Sequence, residues 1–110
     1  MNSNHPSLPI ACDMTVFTPA ERERHIQTTA RLFQSVQDIQ EVENGYRFIF
    51  PDQSDIIGGM GEFIANERLC CPFLEFTLKV EPNKESVSLL LAGPEGAQDF
   101  LRAEFSEVFA

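Results

Sequence analysis

Two short runs, Ile39 to Glu43 and Tyr46 to Phe50, flank the dipeptide Asn44-Gly45. A two-residue loop of this type suits a type I′ turn, because both positions tolerate positive φ, and it commits the flanking runs to a local antiparallel pair. With that loop Glu43 faces Tyr46, Glu41 faces Phe48 and Ile39 faces Phe50. Tyr46, Phe48 and Phe50 then share one face, the side expected to meet the core.

Helical periods surround this hairpin. Thr18-Pro19-Ala20-Glu21 has an N-cap hydroxyl, a proline at the first helical position and a glutamate three residues after the cap, so a helix starts there. Ile26, Ala30, Phe33 and Val36 or Gln37 follow at helical spacing and carry it to about residue 37. After Pro51, a second helix begins at Asp52 or Ser54 with Ile56, Ile57, Met60, Phe63 and Ile64 as its apolar stripe. It must stop near Cys70, because Pro72 disfavours helical geometry at the residue before it.

Leu74, Phe76, Leu78 and Val80 alternate with Glu75, Thr77, Lys79 and Glu81, the pattern of a half-buried strand. Pro82 to Glu85 turns the chain and Ser86 to Ala92 forms the partner strand. Gly93-Pro94-Glu95-Gly96 then leads into a last helix with Ala97, Phe100, Leu101, Phe105 and Val108 on one face. The order αββαββα predicts an α+β domain over residues 17–110, with one four-stranded antiparallel sheet covered by helices on one face. The order of the two hairpins within the sheet stays open. Residues 1–16, with Pro6 and Pro9 among polar neighbours, read as a flexible segment with a short extended piece around Ile10 to Met14.

At 110 residues, 43% of them apolar and ten of them phenylalanine, the chain can build one core and not two. Seventeen acidic against eight basic residues leave a net charge of −9. That surface repels phosphate backbones and anionic lipid, so neither nucleic acid nor a membrane is an expected partner. No signal-peptide pattern or membrane-length apolar run is present, and the expected location is the cytoplasm. Three cysteines, two of them adjacent, do not suggest a disulfide framework, and free thiols are expected.

The run Glu67-Arg68-Leu69-Cys70-Cys71-Pro72-Phe73-Leu74-Glu75-Phe76, followed by Gly93-Pro94-Glu95-Gly96 before an amphipathic helix, resembles a family of small bacterial proteins without assigned function. The resemblance extends back to Cys12 and to the Pro19-Ala20-Glu21 helix start. It implies a small bacterial domain and assigns no catalytic residue.

Cys70 and Cys71 stand at the end of a helix, where the backbone carries partial negative charge, and Glu67 lies on the same face one turn back. Both features raise thiol pKa values and argue against an activated nucleophile; Arg68 is the one adjacent counterweight. A bond between the two neighbours would be strained, since a trans peptide holds their Cα atoms at about 3.8 Å. With Cys12 as a third thiol and Glu67 as a fourth ligand, the pair would instead suit zinc, copper(I) or a thiophilic metalloid ion, although its spacing is not that of a structural zinc site.

The competing reading is that the cysteines fill the core of a structural or interaction module whose apolar faces support a homodimer. Gly58, Gly59 and Gly61 inside the second helix each cost about 1 kcal/mol relative to alanine and are expected to serve close packing. A later helix start would remove that cost. His25, beside the first helix's apolar stripe, and His5 are expected to be solvated. The sequence therefore favours a non-enzymatic protein that binds a soft ion or senses oxidants through Cys12, Cys70, Cys71 and Glu67.

Overall fold

The computed structural model describes residues 9–109, so His5 and the first half of the expected N-terminal segment fall outside it. Helix α1 (Pro19–Phe33) starts on the expected capping box: Thr18 Oγ1 accepts from Glu21 N at 3.2 Å and Glu21 Oε1 accepts from Thr18 N at 2.8 Å. It ends at Phe33 rather than near residue 37. By Gln37 the backbone has joined the sheet, donating to Ile49 O at 2.8 Å, and a continued helix would forfeit that bond.

Strands β1 (Asp38–Val42) and β2 (Gly45–Phe50) form the expected hairpin in a different register. Val42 faces Gly45, Glu41 faces Tyr46 and Ile39 faces Phe48, so the loop is Glu43-Asn44 and only Asn44, at φ 56°, is left-handed. Gly45 belongs to the strand, where a Cβ would overlap the carbonyl oxygen of Leu91. Its missing side chain serves the neighbouring strand and not the turn. The register moves by an even step, so Tyr46, Phe48 and Phe50 still point inward and all three are buried.

Helix α2 (Ser54–Cys70) carries Ile56, Met60, Phe63, Glu67 and Cys70 on its buried face. Strands β3 (Glu75–Val80) and β4 (Val87–Ala92) follow, and the closing helix is broken at Phe105 into α3 (Ala97–Glu104) and α4 (Ser106–Phe109). The sheet is antiparallel in the order β1-β2-β4-β3, which settles how the hairpins join: β4 lies against β2, with Phe48 opposite Leu89. Helices and sheet meet in an aromatic cluster centred on Phe33, whose ring lies 5.2 Å from Phe48, 5.3 Å from Phe63 and 4.7 Å from Phe105.

Two expectations about packing are corrected. Strand β3 is half-buried only at its start: Leu74 just before it is buried, while Leu78 and Val80 are exposed, because β3 is an edge strand flanked by β4 alone. The glycines of α2 lie inside the helix, and close packing within the described chain does not explain them. Among the described residues, Gly58 and Gly61 have no atom within 4 Å of a built Cβ, and Gly59 meets Leu32 at an ordinary 3.6 Å.

The Gly93–Gly96 segment is the expected turn. A Cβ on Gly93 would crowd the Phe73 carbonyl oxygen at 3.2 Å, and Gly96 caps α3 at φ 99°. No helix among the described residues is long and apolar enough to cross a membrane.

Candidate functional site

The end of α2 builds the site. Helix termini leave their last carbonyls without intrahelical partners, and Pro72 has no N–H to offer. The Glu67 carbonyl takes the Cys71 N–H at 2.8 Å, and the Cys70 carbonyl takes the N–H of Asp13 at 2.8 Å. This second bond fastens the segment before α1 to the end of α2 and brings Cys12 to Cys70 and Cys71. Asp13 then caps the 3-10 turn Met14–Val16 by accepting from Thr15 N at 3.0 Å. The extended piece expected at Ile10 to Met14 is therefore replaced by a short segment that ends in a helical turn.

Cys12, Glu67, Cys70 and Cys71 converge: one ligand atom from each lies within 4.8 Å of the others. All four residues expected at the site are together. Their redox state differs from the expectation of free thiols, because Cys12 and Cys71 form a disulfide across 59 residues and Cys70 alone is free. Sequence spacing gave no hint of this pair; the tertiary bond from Asp13 to Cys70 sets it up.

Cys70 Sγ lies 3.8 Å from Cys71 Sγ and donates to Glu67 Oε1 at 3.6 Å, while Cys71 Sγ is 3.4 Å from Glu67 Oε2. Cys70 and Cys71 are fully buried. Burial, followed by the adjacent Glu67 carboxylate, pushes the Cys70 thiol from its ordinary 9.0 up to about 12. The expected upward shift is present at Cys70, with desolvation as its larger cause.

Two further residues complete the site. His25 is buried in the core rather than solvated, and its Nε2 lies 2.8 Å from Glu67 Oε1. The buried face of α1 carries His25, Leu32 and Phe33, whereas Ile26 and Ala30 of the expected stripe are exposed. A signal for this partner was present. Glu67 falls four residues after Phe63 on a buried stripe, and a buried carboxylate requires a polar partner.

Glu104 approaches from α3, with Oε2 3.8 Å from Cys12 Sγ. Desolvation and the Glu67 charge raise its pKa above the usual carboxylate range. Nothing in the spacing of the last helix marks this residue.

A cavity of about 440 Å³ opens beside the cluster. Its lining is mixed: Glu67, Glu104 and His25 are joined by Thr29, Gln34, Ser106 and Glu107, and apolar surface comes from residues such as Ile26, Phe33 and Phe105. A second groove of about 460 Å³ runs along α1 and α2 past Gly58 and Gly59, and the Arg24–Glu62 ion pair, 3.1 Å long, bridges those two helices beside it. Comparison of the chain with family models, curated proteins and solved structures finds no match.

Proposed function

We propose that Cys12, Cys70 and Cys71 form a redox-gated site for a soft metal or metalloid ion, with Glu67 as an adjoining oxygen donor. The observation that carries this reading is the convergence of three sulfurs and a carboxylate within 4.8 Å, inside the fold. Soft thiolate sets favour thiophilic ions. At a metal–sulfur distance of about 2.3 Å, a tetrahedral ion holds two sulfurs about 3.8 Å apart. The Cys70 and Cys71 sulfurs stand at 3.8 Å already.

The gate is the Cys12–Cys71 bond. A small cellular dithiol would reduce it, leaving as its own cyclic disulfide and delivering two hydrogens to the two sulfurs. Three free thiols then face one point. Arsenous acid would exchange its three hydroxyls for three sulfurs and release three waters, giving a neutral complex. Neutrality suits a buried site that already holds Glu67, because an uncompensated buried charge is costly. The His25–Glu67 hydrogen bond fits the pattern in which a second residue orients a ligating carboxylate. A thiol held at about 12 is a weak nucleophile at neutral pH, which does not favour covalent catalysis by Cys70.

A second reading draws on the complete burial of Cys70 and Cys71, with the Cys12–Cys71 bond acting only as a clasp in an interaction module. Anaerobic titration of the reduced protein with arsenite and with zinc separates the two. The site reading expects one ion per chain, bound at least 100-fold more weakly by a Cys70→Ser/Cys71→Ser variant. No uptake of either ion, or equal uptake by the variant, leaves the clasp.

A further inference from the structure

The two edges of the sheet carry different chemistry. β1 presents Asp38 and Glu41 with no basic residue, so two copies of that edge would repel. β3, which among the described residues pairs with β4 alone, carries both signs in Glu75 and Lys79. Its inward face is apolar and uncovered: Leu78 and Val80 are 37% and 51% accessible, while Leu89 and Val87, opposite them on β4, are fully buried. Helix α2 lies above this strand, with the Phe63 ring 6.3 Å from that of Phe76, whereas α1 packs through Phe33 over Phe48 and Phe50 of β2. Gly59 and Glu62 of α2 meet α1, and Ile57 and Ile64 lie half-buried on the opposite flank, the β3 side. An apolar surface therefore ends at the β3 edge with nothing of the described chain beyond it.

The Glu81 N–H donates to Ser86 O at 3.0 Å, and these two residues continue the β3–β4 register. In an antiparallel ladder, pairs that exchange backbone bonds alternate with pairs that do not. The odd-numbered residues of β3 therefore bond to β4, and Phe76, Leu78 and Val80 turn their N–H and carbonyl groups outward. We propose that a second copy of this chain occupies this edge, β3 pairing antiparallel with β3 about a two-fold axis at Thr77. Glu75 of each copy then faces Lys79 of the other, and Phe76 of each faces Leu78 of the other. Charge selects the register, because outward groups must meet outward groups and the axis must fall on a residue. An axis at Leu78 opposes Glu75 to Glu81, an axis at Lys79 opposes the two lysines, and an axis at Phe76 leaves Glu75 against Thr77. Lys79 also holds Glu81 of its own chain at 3.2 Å, and an ammonium has donors for both carboxylates. Copies that each carry a net charge of −9 repel at a distance, so the seam depends on this local match. The seam is separate from the cysteine site and stands whether or not that site takes an ion.

Sedimentation equilibrium of the full oxidised chain, with folding of each variant checked by circular dichroism, tests the seam. Wild type is expected to dimerise. Glu75→Lys and Lys79→Glu each set like charges opposite one another twice across the axis and are expected to weaken the dimer about tenfold or more. The double variant Glu75→Lys/Lys79→Glu restores opposite charges with the signs exchanged, and is expected to return to within about threefold of wild type. Both positions are exposed, so the single chain keeps its fold in every variant. A wild-type monomer at millimolar concentration leaves the edge to some other occupant and overturns the proposal. A dimer indifferent to the single substitutions, or one that the double variant does not recover, overturns it as well, because the copies then meet elsewhere or in another register.

Discussion

The two halves of α2 follow opposite rules. Its first half, Ser54 to Gly61, carries three glycines, two of which meet nothing among the described residues. Its second half carries buried Glu67 and Cys70 and leads into buried Cys71 at the cap, each held by a specific partner. A helix stabilised only by its apolar face would place alanine where the glycines are and leucine where Glu67 is. The contrast locates the buried polar and sulfur groups of α2 in its second half and its unexplained glycines in the first.

The largest way to test that contrast is to reduce the Cys12–Cys71 bond. Closing a loop of about 60 residues restricts the unfolded chain by about 4 kcal/mol on the chain-entropy account, so reduction is expected to lower the urea-unfolding free energy by nearly that much. A loss below about 1 kcal/mol would mean that the second half is held by packing alone. Next comes His25→Phe, which leaves the Glu67 carboxylate buried without its partner and is expected to cost about 3 kcal/mol. Adding Glu67→Leu should recover most of it, because both polar groups are then gone. No recovery in the double variant would separate the pair energetically.

The alkaline limb tests the same end of the helix. The Cys70 thiol is held above its ordinary value, so the unfolded chain gives up this proton first. Its contribution is complete below pH 9 and drains away as pH rises toward 12. Cys70→Ala is expected to flatten stability across that window relative to wild type. An unchanged slope would place the pKa shift elsewhere.

The smallest effects belong to the first half, where Gly58→Ala and Gly61→Ala should each stabilise by about 0.5–1 kcal/mol, read as a rise in melting temperature. Destabilisation at either position would reveal a partner for that face.

Legibility in the sequence follows the range of the interactions. Local rules placed the capping box at Thr18, the end of α2 before Pro72 and the order αββαββα, because each depends on residues a few positions apart. The hairpin was legible in kind but not in register. The Asn44-Gly45 dipeptide satisfies a turn rule, yet Gly45 answers to Leu91 on a strand far along the chain. The same limit governs the site. Cys12, Glu67, Cys70 and Cys71 were all named from residue type, position and resemblance. His25 was displaced from the apparent stripe of α1 by a single residue, and Glu104 by nothing the sequence displays. The disulfide depends on the Asp13 N–H meeting the Cys70 carbonyl, a bond between segments that share no pattern.

Native mass spectrometry of the full chain offered arsenite, before and after reduction by a small dithiol and its removal, measures the gate and the site together. The account predicts no added mass on the oxidised protein and one arsenic per reduced chain, with the loss of three hydrogens that three As–S bonds require. Arsenic on the oxidised protein, or none on the reduced one, would contradict it.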